Sequence, residues 1–134
     1  MPKQATASPA AAHFQDNPVA TGRPDHYMAV TVDSAKVMKS WRESLFSFEW
    51  LLPDGRIKTA DELSDTEKPR RLAVEDALKS GTPLDKPILG IGMMDNIEIG
   101  SGRATFLTLV ALGYKEIPVH IPRSNQGDFK KFLV

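Results

Sequence analysis

Residues 96–121, NIEIGSGRATFLTLVALGYKEIPVHI, form the stretch that decides the predicted fold. It opens with a short β-branched run at residues 97–99, which is followed by a glycine-serine-glycine turn. The almost wholly apolar run at residues 102–112 predicts a helix that is buried on several sides. Gly113 stands where a glycine commonly ends a helix, and residues 117–121 predict a closing strand. The stretch therefore predicts strand, turn, buried helix and strand.

The flanking sequence extends this prediction to a mixed architecture. Apolar spacing predicts strands at residues 26–32, 46–52, 56–59, 88–93, 97–99 and 117–121, and helices at residues 34–45, 69–79 and 102–112. Asp33 and Ser34 offer an N-cap, and Gly81 offers a helix stop. Pro118 in the last strand predicts an edge position or a strand start. We expect an α/β (α+β) fold in which helices flank a small mixed sheet.

The N-terminal 25 residues differ in composition from the rest. They hold four prolines and a run of small residues, with no apolar periodicity. Such a segment is typical of a disordered tail or a loosely docked arm. We therefore expect a flexible arm at residues 1–25 and a single domain at residues 26–134.

Bulk composition excludes several classes of protein. Lysine and arginine together number 17, as do aspartate and glutamate, so the basic excess of a constitutive nucleic-acid binder is missing. The chain has no cysteine, which excludes disulfides, thiolate metal sites and cysteine nucleophiles. No apolar stretch approaches the roughly 20 residues of a membrane span, and no secretory signal precedes the domain. These features predict a cytoplasmic protein with no membrane partner.

The turn before the buried helix is the main candidate site. Backbone N–H groups at a helix N-terminus are free to bind an anion. Ser101 offers a hydroxyl as N-cap or phosphate ligand, Gly100 and Gly102 allow close approach, and Arg103 adds positive charge. The alternative is that the glycines only make a tight turn and that Arg103 is a solvated surface residue.

The stretch from residue 87 to residue 119 resembles the core of the ParB/sulfiredoxin-like superfamily. The resemblance covers about 50 residues and rests on the order and spacing of elements. These are a helix ending in glycine at 72–81, Pro87 with Ile88, a turn at 95–96, a strand at 98–99, a glycine-led helix from 102, Leu112 with Gly113, and Ile117 with Pro118 and Val119. The resemblance implies a nucleotide-binding loop at the start of the buried helix.

Key residues of that loop are replaced in this chain. When the sequence is aligned on Gly102 and Gly113, the family's phosphate-binding arginine falls on Thr105. The family's glutamate, histidine or cysteine falls on Arg103. Sulfiredoxin chemistry needs the loop cysteine and is excluded here. The resemblance implies no helix-turn-helix reader either, because only 13 residues follow Ile121.

Three other groups of residues suggest chemistry, each with a structural alternative. Asp95, Glu98 and His120 are weak candidates for a Mg²⁺ site, because their spacing is not a recognised ligand pattern and structural roles in a turn and a strand explain Asp95 and His120 better. Lys68, Arg70 and Arg71 with Lys130 and Lys131 form either a basic patch or a solvated face. The aromatic cluster of Trp41, Phe46, Phe48 and Trp50 is either a base-stacking platform or core packing, and we expect core packing.

Three functional hypotheses follow. The leading one is a stand-alone, catalytically eroded member of the superfamily that binds a phosphate-bearing ligand (a nucleotide or nucleic acid) or a protein partner. Gly100, Ser101, Gly102 and Arg103 would cradle the anion, with Thr105 adding a hydroxyl. By analogy with compact copies of this fold, a phage or plasmid origin is plausible.

The second hypothesis is an active enzyme, either a nucleotide hydrolase or a Mg²⁺-dependent nuclease. In that case Arg103 would replace the lost arginine, while Asp95 and Glu98 would hold the metal beside a bound nucleotide. The third hypothesis is a purely structural interaction module with no small-ligand site.

Overall fold

The computed structural model describes residues 12–134 and shows a mixed α/β fold. Its helices and strands, numbered along the chain, are β1 Phe14–Gln15, α1 Pro18–Thr21, β2 Tyr27–Asp33, α2 Ser34–Trp41, α3 Glu67–Ser80, β3 Leu84–Asp85, β4 Ile88–Ile91, β5 Ile97–Ser101, α4 Arg103–Ala111 and β6 Glu116–Pro122. Short 3₁₀ turns lie at Ser47–Glu49, Ala60–Glu62, Arg123–Asn125 and Lys130–Phe132. The predicted fold class, a small mixed sheet with flanking helices, is confirmed.

The main sheet has four strands in the order β2, β6, β4, β5. β6 pairs antiparallel with β2 and parallel with β4, and β4 and β5 form an antiparallel hairpin. A register irregularity lies between Ile88 and Leu89, where Ser101 pairs with Ile88. A second, two-stranded parallel sheet joins β1 to β3. Helix α4 connects β5 to β6, so its N-terminus lies directly after the edge strand.

One face of the main sheet forms the core with helices α2, α3 and α4. Alternation along β6 places Ile117, Val119 and Ile121 on this face, and all three are fully buried. They join Trp41 from α2 and Phe106 from α4 in one cluster of buried side chains. The helix predicted from the apolar run at residues 102–112 is therefore confirmed as a core helix.

Pro118 lies neither on an edge strand nor at a strand start, because it is the third residue of β6, so both alternatives of that prediction are wrong. It lies in β6, between β2 and β4. The His120 N–H donates to the Pro87 carbonyl at 2.9 Å, so alternate N–H positions of β6 face β4. Pro118 lies two residues earlier, so its nitrogen faces the same side of β6. β4 has not yet begun there, because its first residue, Ile88, pairs with His120. The proline therefore removes no ladder hydrogen bond, which is why a central strand tolerates it.

The predicted hairpin at residues 46–59 is also wrong in its main part. Residues 47–49 form a 3₁₀ turn, and the expected strand pair is reduced to the Leu51–Ile57 bridge with its flanking backbone hydrogen bonds. Trp50 is fully buried as expected, but Phe46 and Phe48 are 51% and 68% exposed. Their exposure arises because the tight turn, unlike a strand, does not hold all three aromatics on one face. Core packing is thus confirmed for the tryptophans and wrong for the phenylalanines.

Several element boundaries differ from the predicted ones. Helix α2 ends at Trp41 rather than at residue 45, and β4 ends at Ile91 rather than at residue 93. Gly81 ends α3 in the left-handed conformation, with φ of 74°, as predicted. The Asp33 carboxylate caps α2 by accepting the Lys36 N–H at 3.1 Å, also as predicted.

Part of the predicted arm lies against the domain. Residues 1–11 lie outside the described residues, whereas residues 12–25 include β1 and α1. The buried side chain of Asn17 docks this segment by donating to the Lys86 carbonyl at 3.0 Å. Within the described residues, no helix has both the length and the apolar character needed to cross a bilayer.

Candidate functional site

One cavity collects the residues predicted to form the site. It has a volume of about 480 Å³ and lies between the start of α4 and the first half of α3. The predicted residues that line it are Gly100, Ser101, Gly102, Arg103 and Thr105. Glu67 and Arg70, both from α3, line the opposite wall. The structure therefore brings the whole predicted loop to one concave surface.

The backbone at this cavity differs in detail from the predicted loop. Gly100 and Ser101 belong to β5, and Gly102 alone makes the turn into α4. Gly102, rather than Ser101, is the N-cap residue, and it has no side chain with which to cap the helix. The cap position therefore supplies no side-chain partner for the first backbone N–H groups of α4, which are those of Arg103, Ala104 and Thr105.

Gly102 is required by both its conformation and its surroundings. Its φ of 77° lies in the left-handed region. A Cβ at this position would come within 3.1 Å of the Pro87 Cα atom and 3.2 Å of its Cβ. Only glycine allows β5 to turn into α4 this close to the start of β4.

Arg70 is a cavity residue that the sequence did not single out for this site. Its Nη1 donates to Oε2 of Glu67 at 3.0 Å, and its side chain is 64% exposed. Glu67 is buried, and its Oε1 accepts the indole N–H of Trp50 at 2.9 Å. Trp50 and Glu67 thus hold the base of α3 in place, and Glu67 orients Arg70 towards the cavity.

The neighbouring basic residues of α3 do not form a free patch with Arg70. Lys68 pairs with Asp61 at 3.0 Å. Arg71 is buried, pairs with Glu75 at 3.0 Å and donates to the Lys58 carbonyl at 2.6 Å. Arg71 therefore belongs neither to a free basic patch nor to a solvated face, and its role is structural. Arg70 is the member of the group that faces the cavity.

Arg103 is held more firmly than the prediction of a free cation at the helix mouth implies. Its Nη1 forms an ion pair with Glu49, and its guanidinium lies 5.3 Å from the centre of the Phe46 ring. Within residues 12–134, its buried Nε has no hydrogen-bond partner. Glu49 and Phe46 thus fix the side chain beside the start of α4.

The docked segment at residues 12–21 reaches the same site through Ser101. The amide of Asn17 donates to the Ser101 hydroxyl oxygen at 3.2 Å, so the Ser101 O–H remains free to donate elsewhere. The Asn17 backbone N–H donates to Nε2 of His120 at 3.1 Å. Asn17 therefore links His120 on the sheet to the serine that lines the cavity.

Burial favours the neutral form of His120. Burial lowers the pKa of His120, and the nearby charge of Lys86 lowers it further, while Asp16 opposes both effects. The neutral ring is the form that can accept the Asn17 N–H. Lys86 itself pairs with Asp16 at 3.0 Å, and this contact lowers the pKa of the Asp16 carboxyl.

The three residues considered for a metal site are not brought together. Asp95 lies beside Lys36 and Lys39 in a separate cavity. The Glu98 carboxylate accepts from Ser44 and Asn96, and His120 faces Asn17. Among the described residues, no group of three histidine, aspartate or glutamate side chains could hold a metal ion.

Comparison of the chain with protein-family models, curated proteins and solved structures returned no match. The resemblance to the ParB/sulfiredoxin-like superfamily therefore stays a prediction. The site is defined by its geometry alone: an uncapped helix N-terminus, a glycine turn, two hydroxyls and an arginine that faces them from a second helix.

Proposed function

We propose that this chain binds a phosphate-bearing ligand, such as a nucleotide, in the cavity between α3 and α4. We also propose that it is a divergent ParB/sulfiredoxin-like domain, on the strength of the order of its elements from residue 72 to residue 121. One observation carries the first proposal. The uncapped N-terminus of α4 and the guanidinium of Arg70 border the same cavity of about 480 Å³.

The donors at this cavity suit an anion. A helix N-terminus carries a partial positive charge, and its free N–H groups commonly bind phosphate oxygens. The hydroxyls of Ser101 and Thr105 add two neutral donors at the same wall.

The charges at the cavity also support an anionic ligand. Two arginines, Arg70 and Arg103, and one glutamate, Glu67, line the cavity. Because Arg103 is paired with Glu49, Arg70 is the cation on which the proposal relies. A guanidinium has five N–H donors, so Arg70 can hold Glu67 and still donate to a phosphate. In this proposal Arg70 takes the part that the resemblance would assign to an arginine at Thr105.

The proposal is one of binding rather than of metal-dependent turnover. Asp95 and Glu98, the candidate Mg²⁺ ligands, do not line the cavity. Glu67 does, but both of its oxygens already accept hydrogen bonds, from Trp50 and Arg70. A cavity of this volume falls in the usual range for small-molecule sites.

A thermal-shift screen tests the proposal. ATP, CTP, GTP, pyrophosphate and a short DNA would each be added with and without Mg²⁺. A ligand present at 100 times its Kd stabilises the folded state by about 2.7 kcal/mol. Arg70→Gln should weaken binding about ten- to hundredfold, since a charge-assisted hydrogen bond contributes about 1.5–3 kcal/mol.

Lys79→Gln provides the matched control, because it removes a cation from the far end of the same helix. It should leave the shift unchanged. If no phosphate compound shifts the melting temperature, or if Arg70→Gln binds as the wild type does, the proposal is wrong. Turnover that is abolished by a chelator would instead support the enzyme hypothesis.

A further inference from the structure

A patch of large apolar side chains is exposed on the side of the domain where the β4–β5 hairpin turns. Leu45 is 78% exposed, Phe46 51%, Met93 104% and Met94 72%. These four residues, hereafter the apolar patch, border one groove with a volume of about 380 Å³. Single exposed apolar residues are normal on a protein surface, but a group of four around one groove marks an interaction site.

The patch is built from two segments that are joined to each other. Leu45 and Phe46 follow α2, whereas the two methionines lie in the β4–β5 turn. The Ser44 hydroxyl donates to Oε1 of Glu98 at 2.7 Å and so ties the first segment to β5. This contact holds the rims of the groove in place before any partner arrives.

Two carboxylates lie at the same groove. Glu98 has an oxygen held by Ser44 and another held by Asn96 at 3.0 Å, and both of these donors are neutral. Glu43 lies at the rim and is exposed. Within residues 12–134, neither carboxylate has a lysine or arginine partner, and Arg103 at the groove is already paired with Glu49.

We propose that the apolar patch docks an amphipathic polypeptide segment of a partner protein that carries bulky apolar residues and at least one lysine or arginine. The apolar residues would pack on the four patch side chains. Methionine suits this role because its flexible thioether side chain adapts to different shapes. The basic residue would pair with Glu98 and Glu43, which supply the charge complementarity that selects this partner.

The two carboxylates argue against the other occupants of such a patch. A membrane surface is usually anionic and would be repelled by Glu43 and Glu98. A second copy of the chain would bring the same uncompensated carboxylates and, within the described residues, no unpaired cation at the groove. The groove adjoins the phosphate site through Arg103, which lines both, but the four patch residues and the two carboxylates that carry this proposal do not line the phosphate cavity.

Fluorescence anisotropy with two labelled model peptides tests the proposal. The first is LKKLLKLLKKLLKL, an amphipathic leucine–lysine helix, and the second replaces every lysine with glutamate. The wild-type protein should bind the lysine peptide in a saturable manner and should not bind the glutamate peptide. The double substitution Met93→Ser with Met94→Ser should weaken binding about tenfold or more, as loss of central apolar contacts does.

Charge and control variants complete the experiment. Glu98→Gln, which retains an oxygen for Ser44, should weaken binding severalfold and reduce its dependence on salt. Val19→Ser and Glu116→Gln change exposed residues outside the groove and should leave the affinity unchanged. Melting temperatures of all variants would show that each is folded.

Three outcomes would overturn the proposal. The first is equal binding of both peptides, or binding that is insensitive to the patch substitutions. The second is a wild-type dimer in sedimentation velocity that the methionine substitutions dissociate, which would identify a second copy as the occupant. The third is patch-dependent binding to vesicles of phosphatidylcholine and phosphatidylglycerol, which would identify a membrane surface.

Discussion

Replacing Gly102 with alanine should destabilise the domain strongly, because two independent effects act at this residue. Its left-handed φ of 77° costs an L-residue about 1–2 kcal/mol. The new Cβ would also lie 3.1 Å from the Pro87 Cα atom, a backbone contact that can be relieved only if β4 or the turn shifts. Overpacking of this kind costs about 1–3 kcal/mol, so the expected loss is roughly 2–5 kcal/mol in total.

Gly81→Ala is a matched control for the first effect alone. Gly81 has a similar φ of 74°, but a Cβ there would meet nothing within 4 Å. Its expected loss is therefore about 1–2 kcal/mol. Denaturant unfolding of wild type and both variants measures the difference, and Gly102→Ala should lower the melting temperature by roughly 8–20 °C. If Gly102→Ala is no more destabilising than Gly81→Ala, the close approach of Pro87 is not real and the geometry of the site is wrong.

Two further predictions concern buried hydrogen bonds. Trp50→Phe removes the donor to the buried Glu67 carboxylate and should lower the free energy of unfolding by about 1.5–3 kcal/mol; a loss below about 0.5 kcal/mol in urea unfolding would contradict this contact. Because the pKa of His120 is lowered in the folded state, the unfolded chain binds a proton more readily than the folded one. The contribution of His120 to the free energy of unfolding should therefore be complete above the ordinary histidine pKa and should be lost as the pH falls through the lowered pKa. His120→Gln should flatten this dependence, whereas His26→Gln should retain it; identical pH profiles for wild type and His120→Gln would contradict the lowered pKa of the buried His120.

The sequence correctly predicted the part of the site that is built from residues close together in the chain. The apolar run ending at Gly113 and the glycine turn at Gly102 placed α4 correctly, since both signals lie within one element. Arg70 could not be found in this way. It precedes Arg103 by 33 positions and lines the same cavity only because α3 packs on α4. Its position depends on tertiary packing, for which a single sequence carries no direct signal.

The remaining errors have the same origin. Alternating aromatics are typical of a half-buried strand, yet only Trp50 of that run reaches the core, where Glu67 accepts its indole N–H. Asn17 lies in a proline-containing segment with no periodicity, and its buried contacts are to residues about 70 to 100 positions away in sequence. Pro118 suggested an edge strand because the late start of β4 beside β6 could not be foreseen from composition.

Titration of ¹⁵N-labelled protein with pyrophosphate, followed by amide NMR shifts, is the most direct test of the proposed phosphate site. The account predicts saturable shifts that are largest at the amides of residues 101–105, at the N-terminus of α4. It also predicts that Arg70→Gln weakens the apparent affinity about tenfold or more. If these amides do not shift at millimolar pyrophosphate, or if they shift equally in Arg70→Gln, the central claim is contradicted.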